Sequence, residues 1–183
     1  MNGEEKDQAR EITAAVSGIT YGLYVVSSFD GKRHNGQLVN TVFQITASPV
    51  RIAASLNKNN LTHDYVAKSG LYSVSVLSQD APMPFIGIFG FRSGHDGFKC
   101  EKVPYKLLGG CPAVTEHALA MFTVRVERTV DMGTHTLFIG EAIAGEKLKE
   151  GTPLTYDYYK NVKRGKTQKN ATTYTPDAEK AGG

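Results

Sequence analysis

The sequence predicts a mainly β protein, a barrel rather than a doubly wound α/β sheet, with a few short helices. Three observations predict it. About seven segments are rich in β-branched and aromatic residues or alternate in polarity, as strands do. Most connections between them are too short for the crossover helix that a parallel βαβ unit needs. Turn chemistry punctuates the chain at Asp30-Gly31, Ser48-Pro49 and Met132-Gly133.

In chain order, residues 4–17 carry Ile12, Ala15 and Val16, with Ile19 beyond, at helical spacing, and predict a short N-terminal helix. Residues 21–29 read as a strand that runs into the Asp30-Gly31 turn. Residues 38–46 and 51–56 read as two more strands. Residues 57–60 are a polar loop, and 61–68 a short helix with Asn60 or Thr62 as N-cap. Residues 71–77 are a strand. Residues 82–90 are apolar, with two prolines and two glycines, and fit a short helix or an irregular loop; residues 91–100 are polar. The longest β pair is 119–130 with 134–147, and 154–159 is the last strand expected. The chain thus reads as one domain over residues 1–160 and a basic C-terminal arm over 161–183.

Composition narrows the function classes. Hydrophobic residues are 40% and charged residues 21% of 183, a globular balance. No stretch approaches the roughly 20 apolar residues of a membrane span, and the polar start lacks the apolar core of a secretory signal. A cytoplasmic protein with no membrane association is expected. The net charge of +3 is small, and much of the excess sits locally at Lys160, Lys163, Arg164, Lys166 and Lys169. No nucleic-acid partner is expected from so local a cluster. Cys100 and Cys111 fit neither CxxC chemistry nor a zinc knuckle and read as reduced thiols. The five histidines never pair at metal-ligating spacing, so no metal site is expected. No GxGxxG follows the first strand, and no GxSxG is present. Gly165-Lys166-Thr167 mimics the end of a P-loop, but the glycine required five residues earlier is Lys160.

Three stretches together resemble the flavin-reductase family: GQLVNTVFQ at 36–44, ASLNKNNLTH at 54–63 and GTHTLFIGE at 133–141. FGFRSG at 89–94 and YYKNVKRGKT at 158–167 bring the likeness closer to the flavin domain of high-molecular-weight rubredoxins. The resemblance implies an FMN-binding split barrel, with NADH or NADPH as electron donor. It also implies a homodimer, because split-barrel relatives place the flavin near the subunit interface. Those rubredoxins carry an iron module after the flavin domain. The cysteines for one are absent here, so electrons are expected to pass to a separate small redox protein of rubredoxin or flavodiiron type, or to free flavin. A reductase that releases reduced FMN and a flavin electron carrier that binds no NAD(P)H are the competing readings.

The chemistry of FMN distributes the candidate residues. Its phosphate needs hydroxyls, N–H groups and a cation. Asn57, Lys58, Asn60 and Thr62 lie just before or within the start of a helix, whose dipole favours an anion. Arg92 and Ser93, beside Gly94, form a second donor set. The ring needs donors near the atoms that gain charge on reduction, and Asn40, Thr41, Ser55 and the backbone of Leu56 are the candidates. Gln37, in the 36–44 stretch that carries the resemblance, is a further expected cofactor-binding residue. The resemblance places His135 near the nicotinamide or the flavin edge, where it positions rather than supplies a proton. Each residue has a plainer reading: Lys58 a solvated loop lysine, Thr62 a helix cap, Arg92 a surface ion pair, His135 a strand histidine. Tyr156, Tyr158 and Tyr159 read as strand packing or as a stacking group.

Overall fold

A computed structural model describes residues 3–174 other than 96, 98 and 100–102. Cys100 and residues 175–183 of the C-terminal arm lie outside the described residues. The elements in order are α1 (Gly3–Val16), β1 (Tyr24–Phe29), β2 (His34–Val39), β3 (Val42–Ala47), β4 (Val50–Asn57), α2 (Leu61–Ser69), β5 (Leu71–Leu77), α3 (Met83–Gly90), β6 (Tyr105–Leu108), β7 (Cys111–Val114), β8 (Ala118–Asp131), β9 (His135–Lys147) and α4 (Tyr156–Asn161).

The main sheet runs β2-β1-β5-β8-β9-β4-β3, with β6 and β7 as a separate hairpin. Every neighbouring pair is antiparallel, so the barrel expected from short connections is what forms. Alternation on β1 divides the interior. Val25 faces one apolar cluster with Leu77, Phe85, Ile86, Phe89 and Leu154. Val26 faces the other, with Leu56, Val66, Tyr72, Val74 and Phe138. The long β8–β9 pair is bent by register shifts at Thr123/Val124 and Val126/Arg128. At the second bend Gly140 lies so close that a Cβ would stand 1.9 Å from Arg125 O. That contact explains the second glycine of the 133–141 stretch.

Four expectations need correction. The strand expected over 38–46 is two strands that meet at a corner. β2 ends at Val39 and pairs with β1, whereas β3 begins at Val42 and pairs with β4. The polar run His34–Gln37 was expected outside any strand, yet it forms most of β2. Residues 154–159 were expected as a strand but lead into α4. Thr155 caps that helix by accepting from Tyr158 N at 3.1 Å, with Asp157 in the first turn and Lys160 in the last. Capping and end charges there outweigh the β propensity of three tyrosines. The β6–β7 hairpin was not expected at all. α1 forms as its spacing predicts, but buries none of its residues and leaves Ile12 and Val16 exposed.

Candidate functional site

β2 is an edge of the main sheet and pairs with β1 alone. Its other side borders a cleft of about 540 Å³, within the usual range for small-molecule sites. The opposite walls are the β4–α2 junction, the end of α3 with the loop after it, and residues 166–172.

The inner wall is unusual for a β protein. Asn35, Gln37 and Asn40 are all nearly buried. Asn35 Nδ2 donates to Thr62 Oγ1 at 2.8 Å, but Asn35 Oδ1 and Gln37 Oε1 have no partner. Gln168 Nε2, on the facing segment, is likewise buried and unpartnered. A buried orphan polar atom costs about 1–3 kcal/mol. Three of them around one cleft are the mark of a ligand that supplies the missing partners.

The two ends of the cleft differ. At one end stand Asn35, Thr62, Arg92, Ser93, Gly94 and Lys99. Gly94 is needed there, because a Cβ would lie 2.5 Å from Asn35 Nδ2. Lys99 is only 7% exposed and its Nζ donates to Phe89 O at 3.3 Å. A cation, hydroxyls and a glycine-opened backbone are the donor set of an anion site. At the other end stand Asn40, Thr41, Ser55, Asn57, Asn60 and His135. Thr41 and Ser55 fix each other: Thr41 Oγ1 donates to Ser55 O at 3.2 Å, and Ser55 N to Thr41 O at 3.0 Å. His135 Nε2 donates to Asn170 O at 3.3 Å, so Nδ1 accepts from Thr134 Oγ1 at 2.9 Å. From Asn35 to Asn40 the chain advances roughly 17 Å at about 3.3 Å per residue, a length for an elongated ligand with one anionic end.

The cleft gathers Gln37, Asn40, Thr41, Ser55, Asn57, Asn60, Thr62, Arg92, Ser93 and His135 of the residues expected from the sequence. It does not gather Lys58 or Leu56. The Lys58 ammonium pairs with Asp131 Oδ1 at 2.6 Å, across to the β8–β9 turn. That hydrogen bond, helped by the N–H of Gly133, holds the Asp131 carboxyl below the usual carboxylate range. The Leu56 side chain is fully buried in the core. Asn60 sits at the N-cap of α2 without a side-chain cap bond, and Thr62 spends its hydroxyl oxygen on Asn35 instead of capping. The tyrosines lie outside the cleft. Tyr159 is buried and its phenol, pushed up to about 12 chiefly by burial, donates to Lys166 O at 2.9 Å.

Sequence reasoning missed Asn35, Lys99 and Gln168. The Asn35-x-Gln37 alternation was a signal, since two amides on one face of a strand beside a glycine are odd unless something binds them. Lys99 and Gln168 carried none.

Residues 16–164 match the flavin reductase like domain, and the chain belongs to that family. The high molecular weight rubredoxin of Moorella thermoacetica is 46% identical over 169 residues, covering 92% of this chain and 74% of its own. The ferric-chelate reductase (NAD(P)H) of Archaeoglobus fulgidus is 50% identical over 157 residues, covering 85% and 93%. Among solved structures, flavin reductase PheA2 superposes with a TM-score of 0.69 at 24% identity, covering 85% and 93%. The styrene monooxygenase flavin reductase of Pseudomonas putida S12 does so at 0.66 and 26%, covering 78% and 89%. The architecture is the split barrel of these proteins.

Proposed function

We propose that the protein is an FMN-dependent oxidoreductase that takes a hydride from NADH or NADPH and passes the electrons to a separate acceptor. The observation that carries this is the cleft itself: buried, unpartnered Asn35 Oδ1, Gln37 Oε1 and Gln168 Nε2 beside a cationic end, in a chain of the flavin-reductase family. These donors and acceptors fit FMN. When bound, FMN supplies a ring that accepts a hydride and returns electrons one or two at a time.

The residues divide the remaining work. Lys99, Arg92 and Ser93 neutralise and orient the phosphate, with Thr62 holding Asn35 in place. Asn35 and Gln37 meet the ribityl hydroxyls along β2. Asn40, Thr41, Ser55 and Asn57 face the polar edge of the ring, where fixed donors favour the charge that builds on reduction. His135, at the mouth, orients the nicotinamide; positioning is what hydride transfer demands of a side chain. A homodimer accords with the exposed Phe43, Ile45, Val50, Val130 and Met132, which lie on the β3–β4 and β8–β9 hairpins. The acceptor is a small redox protein or free flavin.

The test is to titrate the purified chain with FMN and then mix the complex anaerobically with NADH or NADPH in a stopped-flow instrument. Saturable binding followed by bleaching of the flavin absorbance is expected. Failure to bind FMN refutes the site. Binding without reduction by either nucleotide leaves the site standing and makes the protein an electron carrier.

A further inference from the structure

The arm that follows α4 does not leave the domain at once. Its root is fixed over residues 165–167. Tyr156 Oη and Thr167 Oγ1 share a 2.5 Å hydrogen bond, Lys160 Nζ donates to Thr167 Oγ1 at 3.2 Å, and Tyr159 Oη donates to Lys166 O at 2.9 Å. Gly165 lies flat on Tyr159, where a Cβ would stand 2.1 Å from the ring. From this root the chain crosses the cleft at the Asn40–His135 end. Asn170 Nδ2 donates to Asn60 Oδ1 at 3.0 Å, Thr172 Oγ1 to Asn40 Oδ1 at 3.2 Å, and Asn40 Nδ2 to Thr173 Oγ1 at 3.0 Å. His135 Nε2 reaches Asn170 O. Residues 168–174 are held internally only by two turn bonds, Ala171 N to Gln168 O and Tyr174 N to Ala171 O. No strand pairing ties them to the sheet.

We propose that residues 168–173 are a strap that retains the flavin: a closing wall at the ring end of the cleft, which makes FMN a resident cofactor instead of a substrate that comes and goes. The inference rests on the flavin reading above and deepens it. Two independent features support it. The strap's hydrogen bonds fall on Asn40, Thr41, Asn60 and His135, the polar groups of the ring end, while Gln168 packs beside Gly90 at the end of α3. Gln168 Nε2 is buried on the cleft side without a partner, a donor presented to whatever lies between strap and β2. A firm root and a span held by single side-chain hydrogen bonds describe a segment that opens locally while the barrel stays folded. Retention of this kind acts on the rate of departure more than on the rate of arrival.

The test uses the full chain loaded with FMN. Release is followed by the return of flavin fluorescence after dilution into a large excess of a flavin-trapping protein. An Asn170→Ala, Thr172→Val double variant and a Gln168→Ala variant are compared with the parent. Both should release FMN roughly ten-fold faster or more, with association rates near the parent's. Thr172→Ser, which keeps the hydroxyl, should release at the parent's rate. Circular dichroism melts of the apo proteins should coincide, since Asn170 and Thr172 are exposed and outside the sheet. Release at the parent's rate from both the double variant and Gln168→Ala overturns the strap while leaving the flavin site intact. A parent that binds no FMN overturns the flavin reading and the strap with it.

Discussion

Replacing Lys99 by methionine removes one charge from the anionic-ligand end of the cleft and keeps the length of the side chain. Lys99 is 7% exposed, lines the cleft with Arg92 and Ser93, and lies where a phosphate would be held away from bulk water. A charge-assisted hydrogen bond in such a place is worth about 1.5–3 kcal/mol. The dissociation constant for FMN should therefore rise roughly 10- to 150-fold. Riboflavin, which lacks the phosphate, should bind parent and variant alike. Lys58→Met provides the contrast. Its ammonium pairs with Asp131 on an exposed surface, an arrangement worth about 0–1 kcal/mol, and FMN affinity should not change. The assay is fluorescence titration of the apo protein with both flavins at one fixed ionic strength. Equal losses for FMN and riboflavin in Lys99→Met would mean a damaged fold, not a lost phosphate contact. Unchanged FMN affinity in Lys99→Met, or a loss confined to Lys58→Met, would refute the placement of the phosphate.

Other outcomes follow from the same geometry. His135→Ala should still bind FMN, though releasing it faster because the strap loses its bond to Asn170 O. In the loaded protein it should slow reduction by NAD(P)H roughly 10- to 100-fold and leave reduction by dithionite unchanged in stopped-flow traces. Gly140→Ala should cost more than about 3 kcal/mol in urea unfolding, because its Cβ would meet Arg125 O at 1.9 Å, an approach that only backbone displacement relieves. The Tyr159 phenol, pushed up to about 12 against about 10 in an unfolded chain, stabilises the fold in its neutral form. That contribution is complete below about pH 10 and is lost as the pH rises from there through about 12. FMN release should accelerate over that window as the bond to Lys166 O fails, and Tyr159→Phe should abolish this pH step.

The parts of the fold legible in the sequence were those with long, unambiguous periodicity. The β8–β9 pair and the helix over Leu61–Ser69 lie close to where they were expected. β2 was missed because its buried face is built from amides, and His34, Asn35 and Gln37 look like a turn until a cleft stands beside them. The corner at Asn40 and Thr41 was missed because the residues on either side continue the same apolar run, and only the change of partner strand marks the break. Lys58 and Lys99 are both lysines in polar loops. What separates them is tertiary: Asp131 comes around from the β8–β9 turn to take the first, and the loop after α3 folds the second inward. The contacts of Asn170 and Thr172 have no local signal either, since their partners stand more than a hundred positions earlier.

The break at Asn40 and Thr41 leaves the barrel with a seam. β2 and β3 are the two borders of one sheet, and the cylinder is not zipped between them by a strand ladder. The cleft opens along the β2 border of that seam, so whatever fills it covers a strand edge that no neighbouring strand covers. Ligation and conformational stability are then one equilibrium. A ligand present at a hundred times its dissociation constant adds about 2.7 kcal/mol to the folded state. An empty seam instead offers an open β border, the kind of surface through which proteins self-associate by strand addition. A cell short of the cofactor would accumulate less of this protein, and what it did accumulate would be prone to aggregation.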